Sequence, residues 1–286
     1  MKYIKRLADV ELSEKMTHSG AVLVRGPKWC GKTSTCDVLA KSALRLRDPD
    51  VYARSQQALS IQPSLLLRGE KPRLIDEWQV APVLWDTVIN DVDKSGGLPG
   101  QYLLTGSATP LDHAAPDAPK HTGTGRIARL DMDTMTLEES GVSTCEVSLA
   151  SLFEGQEEVS GVGPVSVEGY ADLICGGGWP APIARGSLDP GVAWDYVDAL
   201  CESDVSEAAQ SSLDSARTRA LLRSIARCSA QEASLAAILA DVRDVGVGMS
   251  EPTLRVYLNA LRRLYIIRDI KAWAPALRSK TPLRQA

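Results

Sequence analysis

No C-x-x-C pair occurs in the 286 residues, and the six cysteines (Cys30, Cys36, Cys145, Cys175, Cys201, Cys228) are scattered along the chain. That spacing argues against a disulfide framework and against a zinc site, and it reads as reduced thiols. Histidine is scarcer still. His18, His113 and His121 are too dispersed for a metal site or a Ser-His-Asp triad. No apolar run approaches transmembrane length, and Met1-Lys2-Tyr3-Ile4-Lys5-Arg6 leads into mixed sequence rather than an apolar signal core. The expected location is the cytoplasm, with no membrane partner. No repeat or low-complexity tract is visible. Positive charge is missing from a long internal stretch: residues 131 to 175 hold ten acidic residues and no lysine or arginine. Residues 251 to 286 reverse this, with eight basic residues against Glu251 and Asp269. Such polarity points either to nucleic-acid contact by the basic end or to an electrostatic interface within the molecule.

What the chain does have is ordinary globular composition, 44% hydrophobic and 24% charged, in a length that allows two domains. It also has Gly26-Pro27-Lys28-Trp29-Cys30-Gly31-Lys32-Thr33, which fits the phosphate-binding pattern G-x-x-x-x-G-K-[ST]. Ala21 to Val24 before it reads as a buried strand. Ser34 to Leu46 after it reads as a helix, with Val38, Leu39, Ala43 and Leu46 at helical spacing. In that setting the loop N–H groups, together with the start of the helix at Ser34, form an anion site. Lys32 is expected to reach the terminal phosphates and the Thr33 hydroxyl to ligate Mg²⁺. Cys30, near a helix N-terminus and Lys32, is expected to be a reactive thiol of depressed pKa.

Alternating elements continue downstream and predict a parallel α/β sheet sandwiched by helices. Arg45 to Arg47 reads as a short strand with a turn at Asp48-Pro49, and Gln56 to Leu67 as a helix. Arg73 to Glu77 is a strand ending in two carboxylates, Val83 to Val92 a helix, Gln101 to Ser107 a strand, and Arg126 to Leu130 the last strand. Residues 154 to 164 read as an exposed linker, and the softest boundary falls near Gly186 to Pro190. Helices follow at 192–202, 213–227, 231–244 and 251–264, the last capped by Ser250. A strand at Tyr265 to Ile270 would complete a winged-helix shape. The expected domains are 1–187, 188–274, and a basic tail 275–286 that frays.

Asp76 and Glu77 end a strand at the edge where a parallel sheet presents residues to a ligand. There Asp76 would hold Mg²⁺ through its water shell, and Glu77 would polarise the attacking water. Thr105 and Ser107 end the next strand, suited to a polar contact near the terminal phosphate. Arg126 or Arg129 could stabilise charge developing on it, within the chain or across to a neighbour.

These pieces in this order resemble a prokaryotic family of AAA-type ATP-binding proteins whose members carry a C-terminal domain of unknown function. The resemblance rests on residues 20–33, on Arg73-Leu74-Ile75-Asp76-Glu77-Trp78-Gln79, on 102–108, on 121–127, on Gly176-Gly177-Gly178-Trp179-Pro180 and on the stretch 255–270. It implies a P-loop ATPase using ATP and Mg²⁺, with Lys32 and Thr33 in the phosphate loop, Asp76 and Glu77 as the magnesium and water carboxylates, and Thr105/Ser107 as the sensor position. It also implies a further C-terminal domain beyond Pro282 to Ala286, and possible homo-oligomers in which an arginine crosses to a neighbour's site. Asp131 and Thr134 depart from it, standing where a basic residue and a proline are expected. The leading reading is therefore an ATPase whose cycle shifts a winged-helix-like domain. A DNA-associated switch using the basic helix 251–264 through Arg255, Arg262 and Arg263 is the alternative. A small-molecule kinase is disfavoured, because the strand ends suit water rather than an acceptor.

Overall fold

β1 (Ala21–Arg25) is flanked on both sides by other strands, and its first four residues are all buried. The computed structural model describes residues 3–106, 119, 121–155 and 159–270. Ahead of β1 lies α1 (Leu7–His18), and after it come α2 (Lys32–Leu39), β2 (Ser42–Arg45), α3 (Pro49–Ile61), β3 (Arg73–Asp76), α4 (Val83–Lys94), β4 (Tyr102–Gly106) and β5 (Ile127–Asp131). The strand order is β2-β3-β4-β1-β5, and every pairing is parallel.

Alternation along each strand divides the core into two layers. Ala21, Leu23, Ile75, Tyr102 and Leu104 face one cluster, filled by Leu84, Trp85, Val88, Ile89 and Val92 of α4. Those five recur at helical spacing, and each stabilises the fold by about 1.5–3 kcal/mol relative to exposure. Val22, Val24, Leu74, Leu103 and Leu130 face the other cluster, with Leu12 of α1 and Cys36 of α2. A charge at Val88 would sit in the first layer without a partner and break it.

Three local expectations fail for identifiable reasons. The helix after the loop ends at Leu39, and residues 42–45 leave it to become strand β2. Asp48-Pro49 is a helix start and not a turn: the Asp48 carboxylate accepts the N–H groups of Asp50 and Val51, and Pro49 opens α3. Residues 265–270 form no strand. Tyr265 has φ 59°, its N–H donates to the Arg262 carbonyl, and the Ile266 N–H reaches back to Leu261. That is a Schellman closure of the preceding helix, made with tyrosine where glycine is usual.

α5 (Leu149–Phe153), α6 (Val167–Gly176) and α7 (Pro180–Ala184) follow the sheet. The chain divides into two units, Met1–Ala193 and Trp194–Ala286. The change falls inside α8 (Pro190–Ala199), which runs through a π-helical turn at Leu200–Asp204 into α9 (Val205–Ala209). The second unit is helical, with α10 (Ser215–Arg227), α11 (Leu235–Asp244) and α12 (Glu251–Arg263). Ser250 caps α12, accepting the Thr253 N–H. α12 buries Leu254, Tyr257, Leu258 and Leu261 and packs on α9. A parallel sheet whose flanked β1 runs through a glycine-bounded loop into a helix is the α/β fold of P-loop nucleotide hydrolases, here followed by a helical domain. Among the described residues no helix is long and apolar enough to cross a membrane.

Candidate functional site

The loop Gly26–Thr33 leaves the C-terminal end of β1 and closes onto α2. Two glycines are required by what surrounds them. A Cβ at Gly26 would lie 1.9 Å from the Met132 carbonyl oxygen, and Gly31 caps α2 at φ 102°. Between them Trp29 also takes a left-handed conformation, φ 70°. Pro27 and Cys30 are buried, Lys28 is half-buried, and Trp29 and Ser34 are exposed. The Lys32 side chain is buried, and its Nζ donates to the carbonyls of Gly26 (3.0 Å) and Pro27 (2.8 Å). Burial pushes its pKa down, opposed by Cys30, Glu77 and Asp76.

Opposite the loop, two hydroxyl side chains converge on one carboxylate. Asp76 Oδ1 accepts the Thr33 hydroxyl at 2.7 Å and the Thr105 hydroxyl at 2.6 Å. Thr105 Oγ1 in turn accepts the Glu77 N–H at 3.0 Å. Glu77 has left the strand with φ 58°, a conformation that costs a non-glycine residue about 1–3 kcal/mol and that clusters at functional sites. Its carboxylate accepts from the Gln79 amide and lies 3.7 Å from Arg47. A hydroxyl–carboxylate oxygen set of this kind suits a hard divalent cation.

The structure thus brings together Gly26, Lys32, Thr33, Asp76, Glu77 and Thr105. Ser107 lies outside the described residues. Arg126 is not brought to this group. It precedes β5, and its carbonyl accepts the Ala21 N–H at the N-terminal end of β1. Its guanidinium pairs with Asp93 at 2.9 Å. A five-residue strand at about 3.3 Å per residue separates that end from the loop. Cys30 is also not the reactive thiol expected: burial pushes its pKa up, against the lowering effects of Lys32 and Arg6. Its Sγ faces the Met132 carbonyl at 3.6 Å. On α12, Arg255 pairs with Glu251 and Arg262 with Asp269, while Arg263 donates to the Ala208 carbonyl.

Sequence reading missed the residues that brace the loop from behind. Arg6 is buried, donates to the Cys30 carbonyl at 2.8 Å and the Asp133 carbonyl at 2.8 Å, and pairs with Glu139 at 2.9 Å. Trp179 places its ring 6.3 Å from that of Trp29, and Pro180 approaches Gly31. The Gly-Gly-Gly-Trp-Pro run was the available signal for the second contact. For Arg6 there was none.

A family model described as "Domain of unknown function (DUF8612)" matches residues 167–286, less than half of the chain. No curated protein matches. Among solved structures, the chain is similar to the Walker-type ATPase PABY2304 of Pyrococcus abyssi, with 15% identity over 92% of this chain and 90% of that one, at TM-score 0.49. It is also similar to the ORC2 protein of Aeropyrum pernix in its ADPNP–ADP complexes, with 14% identity over 92% and 85% at TM-score 0.38. The RuvB Holliday junction branch migration motor of Thermotoga maritima gives 18% identity over 94% and 89%, at TM-score 0.34.

Proposed function

We propose that this chain binds Mg-ATP at Gly26–Thr33 and hydrolyses it to ADP and phosphate. The observation that carries this reading is the convergence of the Thr33 and Thr105 hydroxyls on Asp76, beside Glu77 and facing the loop. Lys32 exchanges its two carbonyl partners for phosphate oxygens, a change favoured by the burial that disfavours its charge. Thr33 and Asp76 are the residues that hold the magnesium, which supplies charge neutralisation at the transferring phosphoryl group. Glu77 orients the attacking water and accepts its proton as the oxygen–phosphorus bond forms and the bond from that phosphorus to the bridging oxygen breaks, releasing ADP. Gln79 and Arg47 hold the Glu77 carboxylate in position. Thr105 keeps the Asp76 carboxylate and the Glu77 backbone in register.

Two variants test this. Lys32→Ala is expected to weaken ATP binding by calorimetry, and unchanged affinity would count against the whole site. Glu77→Gln is expected to retain ATP and lose about a hundredfold or more in turnover. Equal phosphate release by Glu77→Gln and the parent chain would remove the assignment of the general base.

A further inference from the structure

The fold brings Arg47 to the same end of the sheet as Asp76 and Glu77. It stands two residues beyond the end of β2. There the β2–β3 ladder pairs Arg45 with Asp76, and the Leu46 N–H donates to the Asp76 carbonyl at 3.3 Å. The chain thus leaves the sheet alongside Asp76-Glu77, at the end where a parallel sheet meets its ligand. On the other side Asp48 caps α3 through the N–H groups of Asp50 and Val51. The Arg47 backbone is pinned from both directions, between a ladder and a helix cap.

Its side chain is held far less closely. Arg47 Nε lies 3.7 Å from Glu77 Oε1, longer than a hydrogen bond, and the Arg47 side chain is 58% exposed. Exposed pairs of this kind contribute little to stability. Arg45, by contrast, is tied to Asp37 at 2.9 Å. Among the described residues the Arg47 contact runs through Nε, and the N–H groups of its two terminal nitrogens suit a further acceptor. Charge shows which way the guanidinium looks. Burial pushes the Lys32 pKa down, Cys30, Glu77 and Asp76 oppose this, and the positive charge of Arg47 adds to the lowering. A cation from the loop and a cation from beyond β2 therefore share one field. A polyanion that draws both removes their repulsion.

We infer that Arg47 is a catalytic residue, whose guanidinium meets the γ-phosphate of ATP and stabilises the charge that builds there during transfer. This rests on the ATP reading and adds a cation to it. The water oxygen bonds to the γ-phosphorus, and the proton of that water passes to Glu77. The electron pair of the broken bond leaves on the bridging oxygen of ADP. Negative charge spreads over the γ-oxygens and the bridging oxygen as this happens. A donor fixed at its base and close to that charge favours the transition state over the ground state. The planar guanidinium engages two oxygens at once, which a lysine ammonium does not.

Whole-chain Arg47→Ala and Arg47→Lys test this, with phosphate release for turnover and calorimetry for ATP, ADP and ADP–aluminium fluoride. The fluoride complex stands in for ADP with the phosphoryl group in transfer. Arg47→Ala is expected to lose about a hundredfold or more in kcat while ATP and ADP affinities change only a few-fold. Its affinity for ADP–aluminium fluoride is expected to fall in step with kcat. The same fall is expected when Arg47→Ala is placed in a Glu77→Gln background. A residue that only positioned Glu77 would leave the fluoride complex of Glu77→Gln untouched, and that result overturns the inference. Arg47→Lys keeps the charge and is expected to recover only a small part of the turnover. Guanidinium ion at millimolar concentration is expected to restore part of the turnover of Arg47→Ala and none of that of Lys32→Ala. Unchanged turnover in Arg47→Ala, or equal loss of ATP and fluoride-complex affinity, also overturns the inference. The ATP reading is judged separately, by ATP binding in the parent chain and in Lys32→Ala, so Arg47 can fail while that reading stands.

Discussion

Thr105 donates its hydroxyl to the Asp76 carboxylate at 2.6 Å and accepts the Glu77 N–H on the same oxygen at 3.0 Å. One side chain of β4 therefore sets both the carboxylate assigned to magnesium and the backbone that carries the carboxylate assigned to water. Thr105→Val preserves the shape and removes the hydroxyl. It leaves the Glu77 N–H without its acceptor, at a cost of about 1–3 kcal/mol in stability. Turnover is expected to fall about a hundredfold while ATP affinity changes only a few-fold, because the loss is in the proton-transfer geometry. Thr105→Ser is expected to recover most of it. Steady-state phosphate release set against calorimetric affinity checks the split.

The Arg6–Glu139 pair, with both side chains 5% exposed, is a brace that fails when one partner is removed. Arg6→Met leaves Glu139 charged and buried, and the loss expected is about 3–5 kcal/mol. Chemical denaturation measures it directly.

The same pair predicts an acid limb. Burial opposes ionisation of Glu139, but the Thr136 N–H, the Arg6 guanidinium and the Leu7 N–H outweigh it and hold the carboxyl below its ordinary value of 4.5. A carboxylate depressed in the folded state adds stability above the unfolded value and loses it as pH falls through the folded one. Stability should therefore drop below about pH 4.5, and Glu139→Gln should flatten that drop. Circular dichroism melts across the acid range read both chains.

Thiol labelling should follow burial. Cys145 and Cys175 are exposed, whereas Cys30, Cys36 and Cys201 are buried, and burial raises the pKa of all three. A disulfide reagent at neutral pH is expected to modify Cys145 and Cys175 first and to reach the buried three only in denaturant. Peptide mapping identifies the modified positions. Early modification of Cys30 would contradict the geometry of the loop.

Trp29 sits in the loop, half exposed, with its ring against that of Trp179. Its environment should change when nucleotide fills the loop. A change in tryptophan emission on adding Mg-ATP is expected, and Trp29→Phe should lose most of it. A fluorescence titration of the two proteins decides.

The parts of the site that were legible in the sequence are contiguous or sit at strand ends. Gly26–Thr33 is a continuous motif, and Asp76, Glu77 and Thr105 end or follow short apolar runs that read as strands and fold as strands. Arg6 and Glu139 meet across 133 residues, and neither position carries a local pattern. Arg126 stays away from the loop of its own chain for a reason the sequence did contain. It precedes its strand, and a parallel sheet presents ligands at the ends where strands finish. The apolar Tyr265-Ile266-Ile267 run looks like strand by composition, yet its backbone is spent closing α12. Asp48-Pro49 belongs equally to turns and to helix starts, and the two amide donors that follow Asp48 settle it.

The order β2-β3-β4-β1-β5 has a consequence for how the molecule is made. β1 pairs with β4 and β5, and both emerge from the ribosome long after it. During synthesis the four buried residues Ala21 to Val24 therefore wait with two bare edges while α2, β2, α3, β3 and α4 are produced. Pairings so distant in the chain are slow to form and leave apolar strand edges open to other chains. The phosphate loop, first among the site's segments to leave the ribosome, gains its rigid seat only when β5 closes the sheet.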